Sequence, residues 1–205
     1  MKPAGIASVI LFLASDAAQV VPPHHENFRV CTYRTFEELR QLMAEEVSTG
    51  EYDAVIHVAA VSGYEVAATY ITATGTRFEP LSCRWFGEEG GPRVIDASAG
   101  KVKSHHPELW LRLVPTPKLV DFVRSQWGFR GMLIKFKLEV GVTPDDLLEI
   151  AERSRRQSEA DRIVANTFEG KDSWALLGPL EGEYRKIERD ALASTLLAVV
   201  EHKRA

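Results

Sequence analysis

Two cysteines in 205 residues, Cys31 and Cys83, lie far apart and outside any CxxC spacing, which argues against a disulfide scaffold or a cysteine zinc site and for a reducing cytoplasm. Long apolar runs are also missing. The stretch "GIASVILFLAS" at 5–15 is far shorter than the about 20 residues that cross a bilayer, has no basic leader beyond Lys2, and is followed by "SDAAQVVPP" rather than a cleavage context. It reads as a buried strand, and no membrane association is expected. Nor is there a basic stripe: 25 Lys and Arg stand against 29 Asp and Glu, net charge −4. The clusters "RSRR" at 153–156 and "HKRA" at the end read as solvated helical faces, so small metabolites are expected as ligands and nucleic acid is not. The pairs His24–His25 and His105–His106 lack an i, i+4 partner or an HExxH context, so no metal ligand set is assigned. Ser62 lacks the GxSxG elbow of a serine nucleophile.

With 45% apolar and 26% charged residues, the chain fits one globular domain, 1–205, with a real core. Apolar runs of strand length fall near 7–14, 54–60, 108–114, 131–138, 161–166 and 173–178, with a weaker one at 28–31. Helical patterns lie between several of them. "TFEELRQLMAEEV" (35–47) puts Phe36, Leu39, Leu42, Met43 and Val47 on one face, with Thr35 as N-cap and Glu38 at the capping-box position. "TPDDLLEIAERSRRQSE" (143–159) opens on Thr143, Pro144 and two acids, a helix start signal. Further helices are expected near 117–126 and 187–203. Continuous apolar strands alternating with helices predict a three-layer α/β protein with a mostly parallel sheet. Residues 65–100 break this rhythm and read as an inserted β-hairpin, either a flap over a site or a dimerisation arm.

In open α/β sheets, ligands bind beyond the carboxyl ends of the strands. There, "YDAVIHVAAVSGY" (52–64) ends in Ala59, Ala60, Ser62 and Gly63, small residues that let a base, ribose or phosphate approach the backbone, or that only fit a tightly packed helix. Lys101 and Lys103 project to one side of an extended segment, as suits an anionic ligand or plain solvation. In "KFKLE", Lys135, Lys137 and Glu139 share one face and Phe136 and Leu138 the other. Either this is an edge strand with a wet face, or Lys137 and Glu139 stand at its ligand-facing end. Asn166 closes another apolar strand, where its amide suits ligand reading or an Asx turn.

"DAVIHVAA" is similar to a strand of the extended short-chain dehydrogenases and nucleotide-sugar epimerases, which bind NAD(P). Those proteins need a glycine-rich fingerprint and a Tyr-x-x-x-Lys pair, and this chain has neither. A second resemblance covers more of the chain. "AAVSGY", the insertion, "GKVKS", "LWLRLVPTPKLV", "IKFKLEVG", a long helix, "ADRIVANTFE" and "YRKIERDAL" occur in the order found in phosphopantothenate–cysteine ligase, also called phosphopantothenoylcysteine synthetase, of coenzyme A biosynthesis. "KVKS" and "FKLE" resemble the eukaryotic-type form most. The resemblance implies a Rossmann-like sheet, a homodimer, and CTP or ATP as co-substrate with Mg²⁺. The triphosphate would activate the carboxylate of 4′-phosphopantothenate as an acyl nucleotidylate, which the amine of cysteine then attacks. It also implies roles: Ala59, Ala60 and Ser62 lining the nucleotide pocket, Lys101 as the catalytic, phosphate-contacting lysine with Lys103 beside it, Phe136 and Lys137 near the base, and Asn166 at the nucleotide end of the cleft. Arg155 and Arg156 fall where the family carries further basic residues.

Two departures from that family are expected to matter. Its first strand and an Asn-x-Ser-Ser-Gly-type loop have no counterpart in these 205 residues, where "GIASVILFLASDAAQVV" matches the family's second strand. Gly63 stands where the family commonly has an aspartate that helps hold the nucleotide. Both leave open a non-catalytic nucleotide-binding or dimerisation homologue.

Overall fold

A computed structural model describes residues 10–15, 28–59, 61–98 and 104–202. The chain divides into two compact units, Met1–Val61 with Lys118–Ala205, and Ser62–Pro117.

The first unit is built on a five-stranded sheet. Its strands are β3 (Ala54–His57), β9 (Met132–Glu139), β10 (Arg162–Thr167), β11 (Trp174–Leu180) and β12 (Glu183–Glu188), in the order β12-β11-β10-β9-β3. β3, β9 and β10 run parallel, and β11 and β12 return antiparallel. A separate parallel pair is formed by β1 (Ile10–Ser15) and β2 (Phe28–Tyr33). The four helices are α1 (Phe36–Thr49), α2 (Leu119–Ser125), α3 (Pro144–Gln157) and α4 (Arg189–His202).

Strand alternation divides the core. Leu133 of β9 joins Leu39, Met43 and Val47 of α1 and Leu119, Val120 and Val123 of α2, while Met132 and Ile134, one residue to either side, join Leu192 and Leu196 of α4. Leu147 and Ala151 of α3 close over Ile163 and Ala165 of β10. Helices α1 to α3 therefore cover one face and α4 the other, the three-layer arrangement that alternating strands and helices predict. Local chemistry sets the helix starts. Thr35 accepts from the Glu38 amide while the Glu38 carboxylate accepts from the Thr35 amide, a complete capping box. Thr143 caps α3 by accepting from the Asp146 amide at 3.2 Å, with Pro144 in the first turn. Gly131, just before β9, has the carbonyl oxygen of Asp53 2.5 Å from where a Cβ would stand, so a side chain here would collide with the start of β3.

In the second unit, β4 (Tyr64–Thr72) pairs antiparallel with β7 (Val94–Asp96) and β8 (Trp110–Pro115), and β5 (Arg77–Glu79) forms a hairpin with β6 (Arg84–Phe86). Phe78, Trp85 and Trp110 stack edge-on and tilted with centroids 4.4–5.3 Å apart, which makes these tryptophans packing residues.

Two expectations change. The apolar run near 108–114 is a strand, but β8 pairs with β4 in the second unit rather than joining the parallel sheet. β12 is absent from the expected strands because "EYRKIE" has no apolar run. It is the charged edge of the sheet, where lysine, arginine and glutamate keep other chains from pairing with it.

Ile134 is fully buried and Ile56 is 45% exposed. Ile134→Ala is expected to cost about 3 kcal/mol of unfolding free energy in urea titrations and Ile56→Ala less than about 1 kcal/mol, because a cavity forms only at the buried site.

Candidate functional site

The strand ends that the sequence singles out are brought together in the first unit at β3 and β9. Ala59 and Val61, just past β3, rest against the core cluster that includes Leu119 and Val120 at the start of α2. Ala60, Lys101 and Lys103 lie outside the described residues. Ser62 and Gly63 belong to the second unit. There the Ser62 hydroxyl donates to the Tyr64 carbonyl at 2.6 Å, closing a local turn. No atom lies within 4 Å of the position a Gly63 Cβ would take, so glycine at this position answers no packing requirement.

On β9 the expected division of faces holds, but β9 lies between β3 and β10 and is no edge strand. Its polar face has another cause. Lys135, 6% exposed, donates from Nζ to the Ser158 hydroxyl at 2.5 Å and to the Ser154 carbonyl at 3.0 Å. The Ser158 hydroxyl donates to Asp121 Oδ1 at 2.6 Å, and Gln157 Nε2 donates to Asp121 Oδ2 at 2.9 Å. Lysine, serine and aspartate thus form an ammonium–hydroxyl–carboxylate chain linking β9, the end of α3 and α2. Each donor in it polarises the next. Farther along the same face, Lys137 pairs with Glu139 at 2.8 Å. Phe136 points the opposite way, into the α4 side of the core, so Phe136 and Lys137 do not share a pocket wall.

Asn166 is buried and its amide donates to the Trp174 carbonyl at 2.7 Å, tying β10 to β11. Arg155 grips Glu152 with two bonds of 2.8 Å, and Arg156 and the Tyr184 hydroxyl add a third and fourth donor. These bonds, Arg155 first, hold the Glu152 carboxyl well below the usual carboxylate range, while burial and the Glu152 charge push Tyr184 up to about 12. A groove of about 830 Å³ along α3, lined by Leu148, Glu152, Arg156, Pro179 and Tyr184, shares no residue with the β3–β9 end. Glu152 and Arg156 in its lining already pair with each other.

Sequence reasoning passed over His57, Lys118, Asp121 and Ser158. The parallel register sets His57 beside Lys135 on one face. Burial first, then the Lys135 charge, brings His57 down to about 4. Burial likewise brings Lys135 down to about 8, with Asp121 opposing and Lys118 and Lys137 assisting. The signal available beforehand was slight: a lysine two residues before Lys137 on a strand otherwise fit for a core. Ser158 is 1% exposed and cannot reach a substrate, so this chain of bonds orients and charges the site and supplies no nucleophile. What the strand ends can do is bind an anion against small residues and lysines.

The fold is a Rossmann-like α/β sheet with lysines toward the carboxyl ends of its parallel strands, the place where open α/β sheets in general take their ligands. The chain is a homologue of the coenzyme A biosynthesis bifunctional protein CoaBC of Thermococcus kodakarensis, to which it is 29% identical over 157 residues. That match covers 76% of this chain but 30% of the relative. No family model matches. Among solved structures, the DNA/pantothenate metabolism flavoprotein of Streptococcus pneumoniae superposes with a TM-score of 0.72 at 23% identity, over 95% of this chain and 81% of that one. The C-terminal domain of a CoaBC protein gives 0.59 at 13% identity, over 96% and 75%. A Cab2 mutant in complex with phosphopantothenate-cysteine gives 0.53 at 12% identity, over 88% and 56%. At these identities the structural likenesses establish the fold. The homology agrees with the order of motifs read from the sequence, and nothing favours the dinucleotide-binding alternative.

Both depressed bases predict how stability follows pH. The neutral forms of His57 and Lys135 are favoured in the fold, so each gives its stabilisation in full above its unfolded pKa and loses it as pH falls through its folded one. Stability is expected to fall between about pH 6.5 and 4 through His57, by on the order of 2–3 kcal/mol, and to rise from about pH 8 to 10.5 through Lys135. Urea midpoints measured across pH check this, with His57→Gln expected to flatten the acid limb.

Proposed function

We propose that this chain carries out the chemistry of a phosphopantothenate–cysteine ligase: nucleoside triphosphate-dependent amide formation between 4′-phosphopantothenate and cysteine. The observation that carries the reading is the homology with CoaBC over three-quarters of this chain, together with a parallel sheet whose β3 ends in small residues beside lysines. Ala59, Ala60 and Ser62 are proposed to border the nucleotide. Lys101 is proposed to contact its phosphates and the developing charge of acyl transfer, Lys103 to add positive charge, Phe136 and Lys137 to lie near the base and Asn166 at the nucleotide end. CTP or ATP is the activating co-substrate. Mg²⁺ is proposed to enter on the triphosphate.

The second unit is proposed to be the inserted flap and the homodimer contact. Tyr64 and Val66 of β4, Ile95 of β7 and Leu111 and Leu113 of β8 are each more than half exposed, and the pairings Val66–Leu113 and Thr69–Leu111 set these chains on one face. A second copy would cover that apolar face. Light scattering on a sizing column is expected to give twice the 22.9 kDa chain mass, and Leu113→Lys to give the monomer. Among the described residues no helix is long and apolar enough to cross a membrane.

Gly63 favours one alternative, a homologue that binds nucleotide without turning it over. The deciding assay incubates the chain with 4′-phosphopantothenate, cysteine, Mg²⁺ and either CTP or ATP. Release of pyrophosphate with one of them is expected, and saturable binding with neither turned over would establish the alternative. Gly63→Asp fits the open space at that position and is expected to tighten nucleotide binding severalfold without lowering the melting temperature. Lys101→Ala is expected to reduce turnover by about a hundredfold.

A further inference from the structure

Three lysines gather where β3 and β9 end. Lys135 is buried and held by Ser158 and Ser154, Lys137 follows two residues later on the same face, and Lys118 opens α2. Lys118 is the N-cap of α2 without the usual capping side-chain bond, is exposed, and has no partner for its ammonium group among the described residues. Asp121 lies one turn into the same helix, and its amide donates to the Lys118 carbonyl at 2.9 Å. Its carboxylate is the end of the Lys135–Ser158–Asp121 chain, and Lys118 is close enough for its charge to act on Lys135. The groups facing Lys135 are His57 from β3, Lys137 from β9, Lys118 and Asp121 from α2, and the Ser158 hydroxyl at the end of α3. Lys137 is matched by Glu139 and Lys135 by Asp121, which leaves Lys118 as the uncompensated charge.

Placing an unpaired ammonium near two others costs electrostatic energy, which an incoming anion relieves. We propose that Lys118, with Lys137, binds a phosphate dianion at the carboxyl end of β3 and β9, supported from below by the Lys135–Ser158–Asp121 chain. A lysine suits this task because its compact ammonium acts as a point charge on a flexible stem and can follow phosphates of different size. This assignment deepens the ligase reading, whose substrates bring two sources of the same chemistry, the phosphate monoester of phosphopantothenate and the phosphate chain of the nucleotide.

The site gives itself away through protons. In the free protein Lys135 has a pKa of about 8, depressed by burial and by Lys118 and Lys137. A dianion bound above it favours the charged form, so binding draws a proton onto Lys135. The test is calorimetric titration at about pH 8.5, where phosphate is already dianionic and Lys135 is largely neutral in the free protein. Three probes are used in buffers of different ionisation enthalpy: inorganic phosphate, 4′-phosphopantothenate, and ATP or CTP with Mg²⁺. Binding with net proton uptake is expected. Lys118→Ala should weaken it about tenfold, as expected for loss of one charge-assisted contact, and Lys118→Arg should keep it. Ser158→Ala or Lys135→Met should abolish or reduce the proton uptake, two variants guarding against one that fails to fold.

Whichever organic probe loses affinity with Lys118→Ala identifies the source of the phosphate. Equal affinity of Lys118→Ala and the wild type for every probe overturns the assignment, as does binding without proton uptake or no binding of any probe. None of these measurements needs turnover. An inactive chain that binds phosphate through Lys118 would sink only the ligase reading, and pyrophosphate release unaffected by Lys118→Ala would sink only this site.

Discussion

A buried ammonium cannot stand alone, and much of this protein's functional end is arranged around that constraint. Lys135 sits in an interior strand of the sheet at 6% exposure, where an unpaired charge would cost several kcal/mol. Ser158 at the end of α3 and Asp121 on α2 meet it there, so the placement of both helices relative to β9 is bound up with keeping Lys135 satisfied. The ion pair between Arg124 and Asp161 does similar work at the other end of the strand, with Asp161 also accepting from the Leu133 amide at 2.8 Å. Between the two contacts, α2 is held along the length of β9. Lys118 is the residue that opens α2.

This arrangement explains why the polar face of β9 occurs in a strand with neighbours on both sides. A central parallel strand is normally apolar throughout. Here Leu133, toward the start of the face, packs against α1 and α2, whereas Lys135 is buried and the Lys137–Glu139 ion pair beyond it is only partly buried. The two lysines carry positive charge from the interior toward the carboxyl end of the strand, where open α/β sheets take their ligands. His57 beside it stays neutral near pH 7, adding no further positive charge.

The elements were legible where local rules suffice. Thr35 with Glu38, and Thr143 with Pro144, mark helix starts by chemistry confined to four residues, and both helices begin there. The alternation of Lys135, Lys137 and Glu139 with Phe136 and Leu138 assigned the two faces of β9 correctly. β12 escaped notice because an edge strand is recognised by its charges, which in a sequence look like a loop or a helix surface. β8 was found as a strand but assigned to the wrong sheet. An apolar run of that length fits either partner, and the pairing with β4 is a long-range choice.

The same boundary runs through the functional site. By itself the sequence determined the α/β class, the helix caps, the small residues after β3, and an order of motifs that resembles the ligase family. Each of these is written in a short window or in an order along the chain. Only the tertiary structure decided that β9 is an interior strand, that Lys135 is buried, that Asp121 and Ser158 belong to one chain of bonds with it, and that the space beside Gly63 is open. Those facts depend on which distant segments become neighbours. That is settled by burying the apolar faces of the entire unit at once, and no single stretch of residues contains it.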